Sequence, residues 1–385
     1  MTKIKYTRAV CVCGGGKNRI QTLESLRAFA FLGVFAHHTS LKIFEGAGAW
    51  GVSIFIMLSG FVLAINYLSK DKIPSTSCKY NLYFALNKIK KIYLLHVLTM
   101  IAMLPFWLKE SASLEWRGTK IVLNLLLLQE WVPLKGKRIN DVAWYLSVAV
   151  FIYFMFPWVV RKMKQKYSNE KALWSIMTLF LLQIIIGIIA SRLPVIENNT
   201  YFVWDFEFVY WLCYTFPPIR FIDFLIGCNL GYLYFNKKEY KHSDSNNFKE
   251  IVCVLLSTVT NVVYIIASVN SSFADPDRWW TYSALFTVSS CFAIYYFAMG
   301  KGAISNALTN RVTAYFARIS PYAYLIHYVV FRYMSAVFNK ISGVGCSKVR
   351  VGMMKLTLGF ALTVLTTEVW IKLTKICKGA VSAPN

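Results

Sequence analysis

The chain alternates long apolar runs with short polar and basic segments. A helix that crosses a bilayer needs about 20 mostly apolar residues. On that measure the pattern predicts ten spans, and therefore an all-α, polytopic membrane helix bundle. The predicted spans cover residues 27–41, 50–68, 91–108, 142–160, 172–193, 219–235, 251–269, 281–299, 319–338 and 350–371.

A further apolar run, 120–132, is short for a full crossing and can be read as an eleventh span or as a half-inserted helix. With ten spans and an inner amino terminus, the inward segments hold 26 Lys and Arg and the outward segments 12. Basic residues favour the cytoplasmic side. We therefore expect cytoplasmic termini, and 120–132 in or dipping into the outer leaflet. The basic residues Lys135, Lys137 and Arg138 run against this topology.

The composition agrees with a membrane protein, since 57% of the 385 residues are hydrophobic and 16% are charged, against about 45–50% and 25% in soluble domains. No polar stretch is long enough to fold alone. We expect one membrane domain, 19–378, between a flexible cytoplasmic tail, 1–18, and a second tail, 379–385. The net charge of +24 lies in the loops that orient the spans, so the lipid bilayer, and not nucleic acid, is the expected partner. No motif with the spacing of a metal site is found.

The first predicted span carries ionisable residues, which are costly inside a bilayer and mark functional paths there. These are Arg27, His37 and His38. A histidine can take a proton from an alcohol near neutral pH. Arg27 precedes His38 by about 16 Å of helix, so the two cannot touch. His37 points about 100° away from His38, which favours a packing or interface role.

Several motifs, in order along the chain, resemble those of the acyltransferase type 3 family of integral membrane O-acyltransferases. The opening matches as an arginine, ten residues and a histidine (LESLRAFAFLGVFAHHTS), followed by a Gly-Val stretch that ends in Ser-Gly-Phe (WGVSIFIMLSGFVL). Later matches are NDVAWYLSVAVFIYFMFP, RFIDFLIGCNLGYL, ISPYAYLIHYVV and the glutamate Glu368 in the last span. The resemblance runs from about residue 20 to 375.

The resemblance implies an enzyme that moves an acyl group from acyl-CoA, chiefly acetyl-CoA, to a hydroxyl of a surface glycan or glycolipid. Acyl-CoA would be a donor substrate, with no permanently bound cofactor. The expected setting is polysaccharide O-acetylation at the cell envelope, including exopolysaccharide, by a protein of the bacterial cytoplasmic membrane.

The resemblance also suggests roles for single residues. His38 would be the general base, or would carry the acyl group as an acyl-imidazole. Ser147 could orient that imidazole or donate to a developing oxyanion. Arg27, Lys88 and Lys91 would bind the phosphates or the thioester region of CoA, although snorkelling or positive-inside anchoring also explains them. Further residues are expected to line the substrate cavity: His37, Trp144, Tyr324, His327 and Glu368.

The predicted outward segment 194–218 is rich in aromatic residues and contains Asp205 and Glu207. Such a segment can anchor the protein at the membrane interface, or its stacked rings and carboxylates can contact a sugar. Both interpretations stay open from the sequence.

Two departures from the family pattern remove carboxylates. Ser53 stands where members often carry Asp or Glu, and Ala149 and Val150 stand where many carry Glu-Glu. A catalytically impaired member is therefore one alternative. A transporter or flippase for a glycolipid or organic anion is another, although no paired repeats of the kind common in transporters are visible.

Overall fold

The described part of the chain is mostly helical, as the sequence predicts, with no strand among its residues. The computed structural model describes residues 20–70, 74–75, 77–109, 116–165, 167–193, 207–237, 247–270, 276–282, 284–300, 302–342 and 347–381. The predicted tail 1–18 lies outside these residues. Of the predicted tail 379–385, residues 379–381 continue the last helix and the rest lie outside.

Fourteen helices are present in the described ranges. They are α1 Gln21–His37, α2 Glu45–Leu68, α3 Cys78–Trp107, α4 Arg117–Leu125, α5 Trp144–Gln165, α6 Asn169–Ser191, α7 Glu207–Tyr210, α8 Pro217–Lys237, α9 Asn247–Asn270, α10 Ala284–Met299, α11 Ala303–Leu308, α12 Arg311–Ser342, α13 Lys348–Met354 and α14 Phe360–Val381. A π-helical turn, Trp211–Thr215, follows α7, and another, Lys355–Gly359, joins α13 to α14.

Seven helical segments in the described ranges are long and apolar enough to cross a membrane. They are Lys42–Leu68, Cys78–Trp107, Asp141–Gln165, Asn169–Ser191, Asn247–Asn270, Asp277–Met299 and Val349–Cys377. Each overlaps one of the ten predicted spans. The other three predicted spans also form helices, α1, α8 and α12. Ionisable residues interrupt the apolar sequence of these three helices.

The short apolar run 120–132 does not form a crossing helix. Its helical part, α4, has nine residues, or about 13 Å at 1.5 Å per residue, which is under half of a bilayer core of about 30 Å. Leu127 then adopts a left-handed conformation with φ 57°, and an irregular loop continues to residue 140. The structure therefore fits the prediction of a short, non-spanning helix.

Helix α2 lies at the centre of the bundle and packs closely against α8. A methyl group added at Gly60 would come within 2.2 Å of the Phe224 carbonyl oxygen, and one added at Gly227 within 2.0 Å of the Met57 carbonyl oxygen. Small residues allow this backbone approach between membrane helices.

A buried polar network supports the same region. An ion pair on α8 is part of this network, with Arg220 Nη1 2.6 Å from Asp223 Oδ2 and both side chains fully buried. Gln183 of α6 donates to Asp223 at 2.6 Å and accepts from Thr287 of α10 at 2.9 Å. Because each of these polar groups has a partner, the network ties three helices together without exposing a charge.

Candidate active site

His38 sits at the end of α1, where the last carbonyl groups of a helix lack partners within the helix. Its Nδ1 lies 2.8 Å from the Val34 carbonyl oxygen. A carbonyl oxygen can only accept, so Nδ1 carries the hydrogen in the neutral ring and Nε2 carries the lone pair. The helix end therefore fixes the tautomer that a general base needs.

His327 of α12 meets His38 across the contact between α12 and α1. It is fully buried, and its Nδ1 lies 3.2 Å from the Ala323 carbonyl oxygen, which assigns it the same tautomer. Its Nε2 lies 3.3 Å from His38 Nδ1. The Nδ1 hydrogen of His38 is thus shared between the Val34 carbonyl and the lone pair of His327. A proton taken up at His38 Nε2 would strengthen both contacts.

His37 packs beside this pair, as the sequence suggests. Its Nδ1 lies 2.7 Å from the Glu45 carbonyl oxygen, and its ring lies against the backbone of Gly48. The ring centroids of His37 and His38 are 5.1 Å apart. His37 therefore helps to shape the cavity in front of His38, which it also lines.

We call the space in front of His38 the His38 cavity. It has a volume of about 640 Å³, and its lining includes His38, Tyr328, Arg332 and Lys355. The Tyr328 ring lies 5.6 Å from the His38 ring, and its hydroxyl donates to Asp141 at 3.0 Å. An adjoining space of about 350 Å³ shares Asp141, Tyr328 and Arg332 with it and belongs to the same cavity.

The described part of the aromatic segment 194–218 reaches the His38 cavity. Glu207, Tyr210 and Trp211 line its adjoining space, whereas Asp205 lies outside the described residues. These positions give the cavity both flat rings and a carboxylate. Ligand contact, one of the two interpretations of this segment, therefore gains support at these three residues.

A set of paired charges, which we call the Glu130 cluster, borders the same cavity. Arg138 binds Glu130 through two hydrogen bonds, of 2.7 and 3.0 Å, and Lys137 lies 3.3 Å from the same carboxylate. Thr215 donates to Glu130 at 2.8 Å. Two of the three basic residues that run against the predicted topology are therefore neutralised within the loop.

The loop that holds this cluster lies outside the candidate spans. Burial acts to raise the pKa of Glu130, but attraction to Arg138 and Lys137 outweighs burial and lowers the pKa to about 2. Burial lowers the pKa of Lys137 to about 8, in spite of the nearby carboxylate. Glu130 is thus ionised at all physiological pH values and anchors its two cations.

The predicted donor-binding residues Arg27, Lys88 and Lys91 come together in a second space, which we call the Arg27 cavity. All three line both of its adjoining parts, of about 790 and 360 Å³. Arg318 of α12 lines the larger part, a residue that the sequence analysis does not identify. The four cations face one lining acid, Glu24, so the described lining carries an excess of positive charge.

The sequence predicts that Glu368 lines a cavity together with the histidines, but the structure places it elsewhere. It lies 3.2 Å from Arg318, which is nine residues, or about 13 Å of helix, from His327 on α12. Glu368 therefore borders the Arg27 cavity through Arg318, and away from His38.

The structure places Ser147 and Trp144 in the packed interior. Ser147 is fully buried, and its hydroxyl has no hydrogen-bond partner within the described ranges. The Trp144 ring packs against Tyr214 at 5.1 Å. Neither is among the residues that line the two cavities, so a catalytic role for Ser147 stays a prediction that these contacts do not favour.

The structure shows what surrounds the two departures from the family pattern. Ser53 accepts a hydrogen bond of 3.1 Å from Ser290, and Ala149 lines the smaller part of the Arg27 cavity. Neither position is among the residues that line the His38 cavity as far as it is described.

Tyr324 lies between the Arg27 cavity and the histidine pair. It lines the smaller part of the Arg27 cavity, and its ring centroid lies 5.9 Å from that of His327. Tyr324 and His327 are both predicted from the sequence to line a cavity. The contact between His327 and His38 is not predicted, because these two residues are 289 positions apart and only folding brings them together.

Comparison with known proteins identifies the family of this chain. Residues 20–371 match the family described as acyltransferase domain. Acyltransferase MdmB of Streptomyces mycarofaciens is 24% identical over 344 residues, which cover 82% of this chain and 80% of that protein. No solved structure matches significantly. The family match spans nearly the whole helical domain and both cavities, and the chain therefore belongs to this family of acyltransferases, as an integral membrane enzyme that transfers acyl groups.

Proposed function

We propose that the protein transfers an acyl group, acetyl above all, from acyl-CoA at the cytoplasmic face to a hydroxyl of a surface glycan or glycolipid. The observation that carries this proposal is the placement of two different cavities at the two ends of α1. One cavity is lined by an excess of cations, and the other is lined by His38.

The Arg27 cavity suits the donor. CoA carries several phosphate charges on its nucleotide, and Arg and Lys side chains bind phosphate through charge-assisted hydrogen bonds. Arg27, Lys88, Lys91 and Arg318 would hold that end of the donor. The smaller part of the cavity, of about 360 Å³, would take the pantetheine arm and direct the thioester towards Tyr324.

The His38 cavity suits a hydroxyl acceptor. Sugar rings stack their C–H faces on aromatic rings, and their hydroxyls donate to carboxylates. Tyr210, Trp211 and Glu207 offer both kinds of contact. The acceptor hydroxyl would lie within hydrogen-bond reach of His38 Nε2, the nitrogen that carries the lone pair.

The reaction then needs one proton transfer in each direction. His38 Nε2 takes the hydroxyl proton as the acceptor oxygen attacks the thioester carbonyl carbon. The carbon–sulfur bond breaks, and the CoA thiolate takes the proton back from Nε2. The products are the O-acyl ester and free CoA. Val34 and His327 would hold the imidazole in place and stabilise its protonated form, so we assign His327 the role of a positioning residue.

A carboxylate at position 53 or 149 is not required by this scheme. Neither position is among the described residues that line the His38 cavity. We therefore infer an active enzyme in preference to an impaired family member.

The proposal is tested with inside-out membrane vesicles from the native host, deleted for this protein and complemented with wild type or His38→Gln. The vesicles receive acetyl-CoA labelled in the acetyl group, and alkali-labile label is counted in the glycan and glycolipid fraction. Wild type should label this fraction, and His38→Gln should lower the rate at least about 100-fold. Right-side-out vesicles, which hide the cytoplasmic face, should give no label. Equal labelling by the two proteins would overturn the role of His38, and no label with wild type would overturn the proposed reaction.

A further inference from the structure

Three aromatic rings meet where the Arg27 cavity ends. Phe55 of α2, Tyr145 of α5 and Tyr324 of α12 all line its smaller part. The ring centroids lie 5.6 Å apart for Tyr145 and Tyr324, and 6.3 Å apart for each of these rings and Phe55. The three side chains thus form a closed triangle of contacts, contributed by three different helices.

The histidine pair lies behind this triangle. The Tyr324 ring packs against His327 at 5.9 Å, and His327 contacts His38 at 3.3 Å. The three aromatic residues are absent from the lining of the His38 cavity as far as it is described. Tyr324 is the most deeply placed of the three, with 6% of its surface exposed. The triangle therefore lies between the Arg27 cavity and the histidine pair.

The triangle lies in the path of a donor that enters through the Arg27 cavity, an inference that rests on the proposed function. Four cations line the larger part of the Arg27 cavity, and Arg318 lines only that part. With its phosphates bound there, the donor would extend its acyl group into the smaller part, where it reaches the rings. We expect the closed triangle to block the passage of an acyl group from the Arg27 cavity to His38. A change of side-chain rotamer swings an aromatic ring by several ångströms, and such a change in Tyr324 would open the triangle next to His327.

We propose that Phe55, Tyr145 and Tyr324 form an aromatic gate between the donor and acceptor cavities, and that Tyr324 selects the acyl group by its cross-section. A small or unbranched acyl group passes once the Tyr324 ring turns aside. A branched acyl group needs a wider opening and is held back. The closed gate also separates bound acyl-CoA from water in the His38 cavity.

The test compares acetyl-CoA with 3-methylbutanoyl-CoA in the vesicle assay, with each donor labelled in its acyl group. Wild type should prefer acetyl-CoA. Tyr324→Ala should raise the rate ratio of 3-methylbutanoyl to acetyl transfer at least about 10-fold, since one or two methylene groups in a fitted site are worth that much. Tyr324→Phe keeps the ring and should leave the ratio within about twofold.

Tyr333 provides a matched control. It lies on the same helix, its hydroxyl donates to the Ala102 carbonyl oxygen, and it is not part of the triangle. Tyr333→Ala should leave the ratio unchanged. Phe55→Leu opens the triangle from α2 and should raise the ratio in the same direction, which keeps the test decisive if Tyr324→Ala does not accumulate in the membrane.

The results separate this inference from the proposed function. Absence of acetyl transfer by wild type would overturn the proposed function. Acetyl transfer by wild type, with an unchanged donor ratio in Tyr324→Ala or Phe55→Leu, would overturn the gate alone. Equal use of both donors by wild type would also overturn it.

Discussion

The Glu130 cluster and the Arg27 cavity both gather basic residues, but they use them in opposite ways. In the Glu130 cluster, Lys137 and Arg138 lie within 3.3 Å of one buried carboxylate. In the Arg27 cavity, four cations and one acid line an open space of about 790 Å³. Charges of the first kind hold the loop together, because the carboxylate compensates for their burial. Charges of the second kind surround a space that is large enough for an anionic ligand.

Substitution of Glu130 tests the difference between the two regions and is expected to have the largest effect on stability. Glu130→Gln removes the carboxylate that faces buried Lys137 and partly buried Arg138, and breaking a buried pair in this way costs about 3–5 kcal/mol. Thermal unfolding of the purified protein in detergent measures the loss. Arg27→Gln is the control, because it removes a cation from an open cavity and should change stability by less than about 1 kcal/mol. Equal losses in the two variants would remove the distinction between the regions.

A donor that lacks the nucleotide tests whether the Arg27 cavity binds the phosphates of CoA. Lys88→Gln and Lys91→Gln should each raise the KM for acetyl-CoA by about 10-fold to 100-fold, since a hydrogen bond to a charged group contributes about 1.5–3 kcal/mol. The same variants should leave the KM for acetyl-pantetheine, which lacks the nucleotide, nearly unchanged. Equal effects on both donors would mean that the lysines do not bind the nucleotide phosphates.

The contact between the two histidines should have a moderate effect on turnover. His327→Ala removes the acceptor at 3.3 Å from His38 Nδ1, and a neutral hydrogen bond of this kind contributes about 0.5–1.5 kcal/mol. We expect kcat to fall about 2-fold to 10-fold with an unchanged KM for acetyl-CoA. His327→Gln offers an amide oxygen in place of Nε2 and should restore part of kcat. A change in KM alone, or no rescue by glutamine, would contradict a positioning role.

Acid should weaken the Glu130 cluster by a smaller, graded amount. The folded-state pKa of Glu130, about 2, lies below its ordinary value of 4.5. The cluster therefore contributes its full stability above about pH 4.5 and loses it as the pH falls towards 2. The melting temperature of wild type should drop more between pH 5 and 3 than that of Glu130→Gln. Parallel pH profiles would show that Glu130 does not titrate in this way.

Much of the fold could be predicted from hydropathy, because a membrane span is a local property of the sequence. All ten predicted spans are helices, and the short run ending near residue 132 is not a crossing helix. The grouping of Arg27, Lys88 and Lys91 in one cavity was also within reach, since helix rise and charge bias placed them at one end of their helices.

Contacts between helices that are distant in the sequence could not be predicted from hydropathy. The approach of His327 to His38 and the pairing of Glu368 with Arg318 depend on how α12 packs against α1 and α14. The sequence shows that these residues are polar and lie in helices, but not which helix faces which. The sequence does contain an indication of the Glu130 cluster. Three basic residues lie in a segment that is predicted to face outward, and an acidic partner nearby would compensate for their charge.

The central claim is that Arg27 and His38, at opposite ends of one helix, perform two separate tasks. Two measurements on the same pair of purified variants test it together: the Kd for CoA, and kcat for acetyl transfer at saturating donor. We predict that Arg27→Gln raises the Kd at least about 10-fold and keeps most of kcat. His38→Gln should keep the Kd within about twofold and lower kcat at least about 100-fold. Loss of CoA binding in His38→Gln, or an unchanged Kd in Arg27→Gln, would contradict the division of tasks.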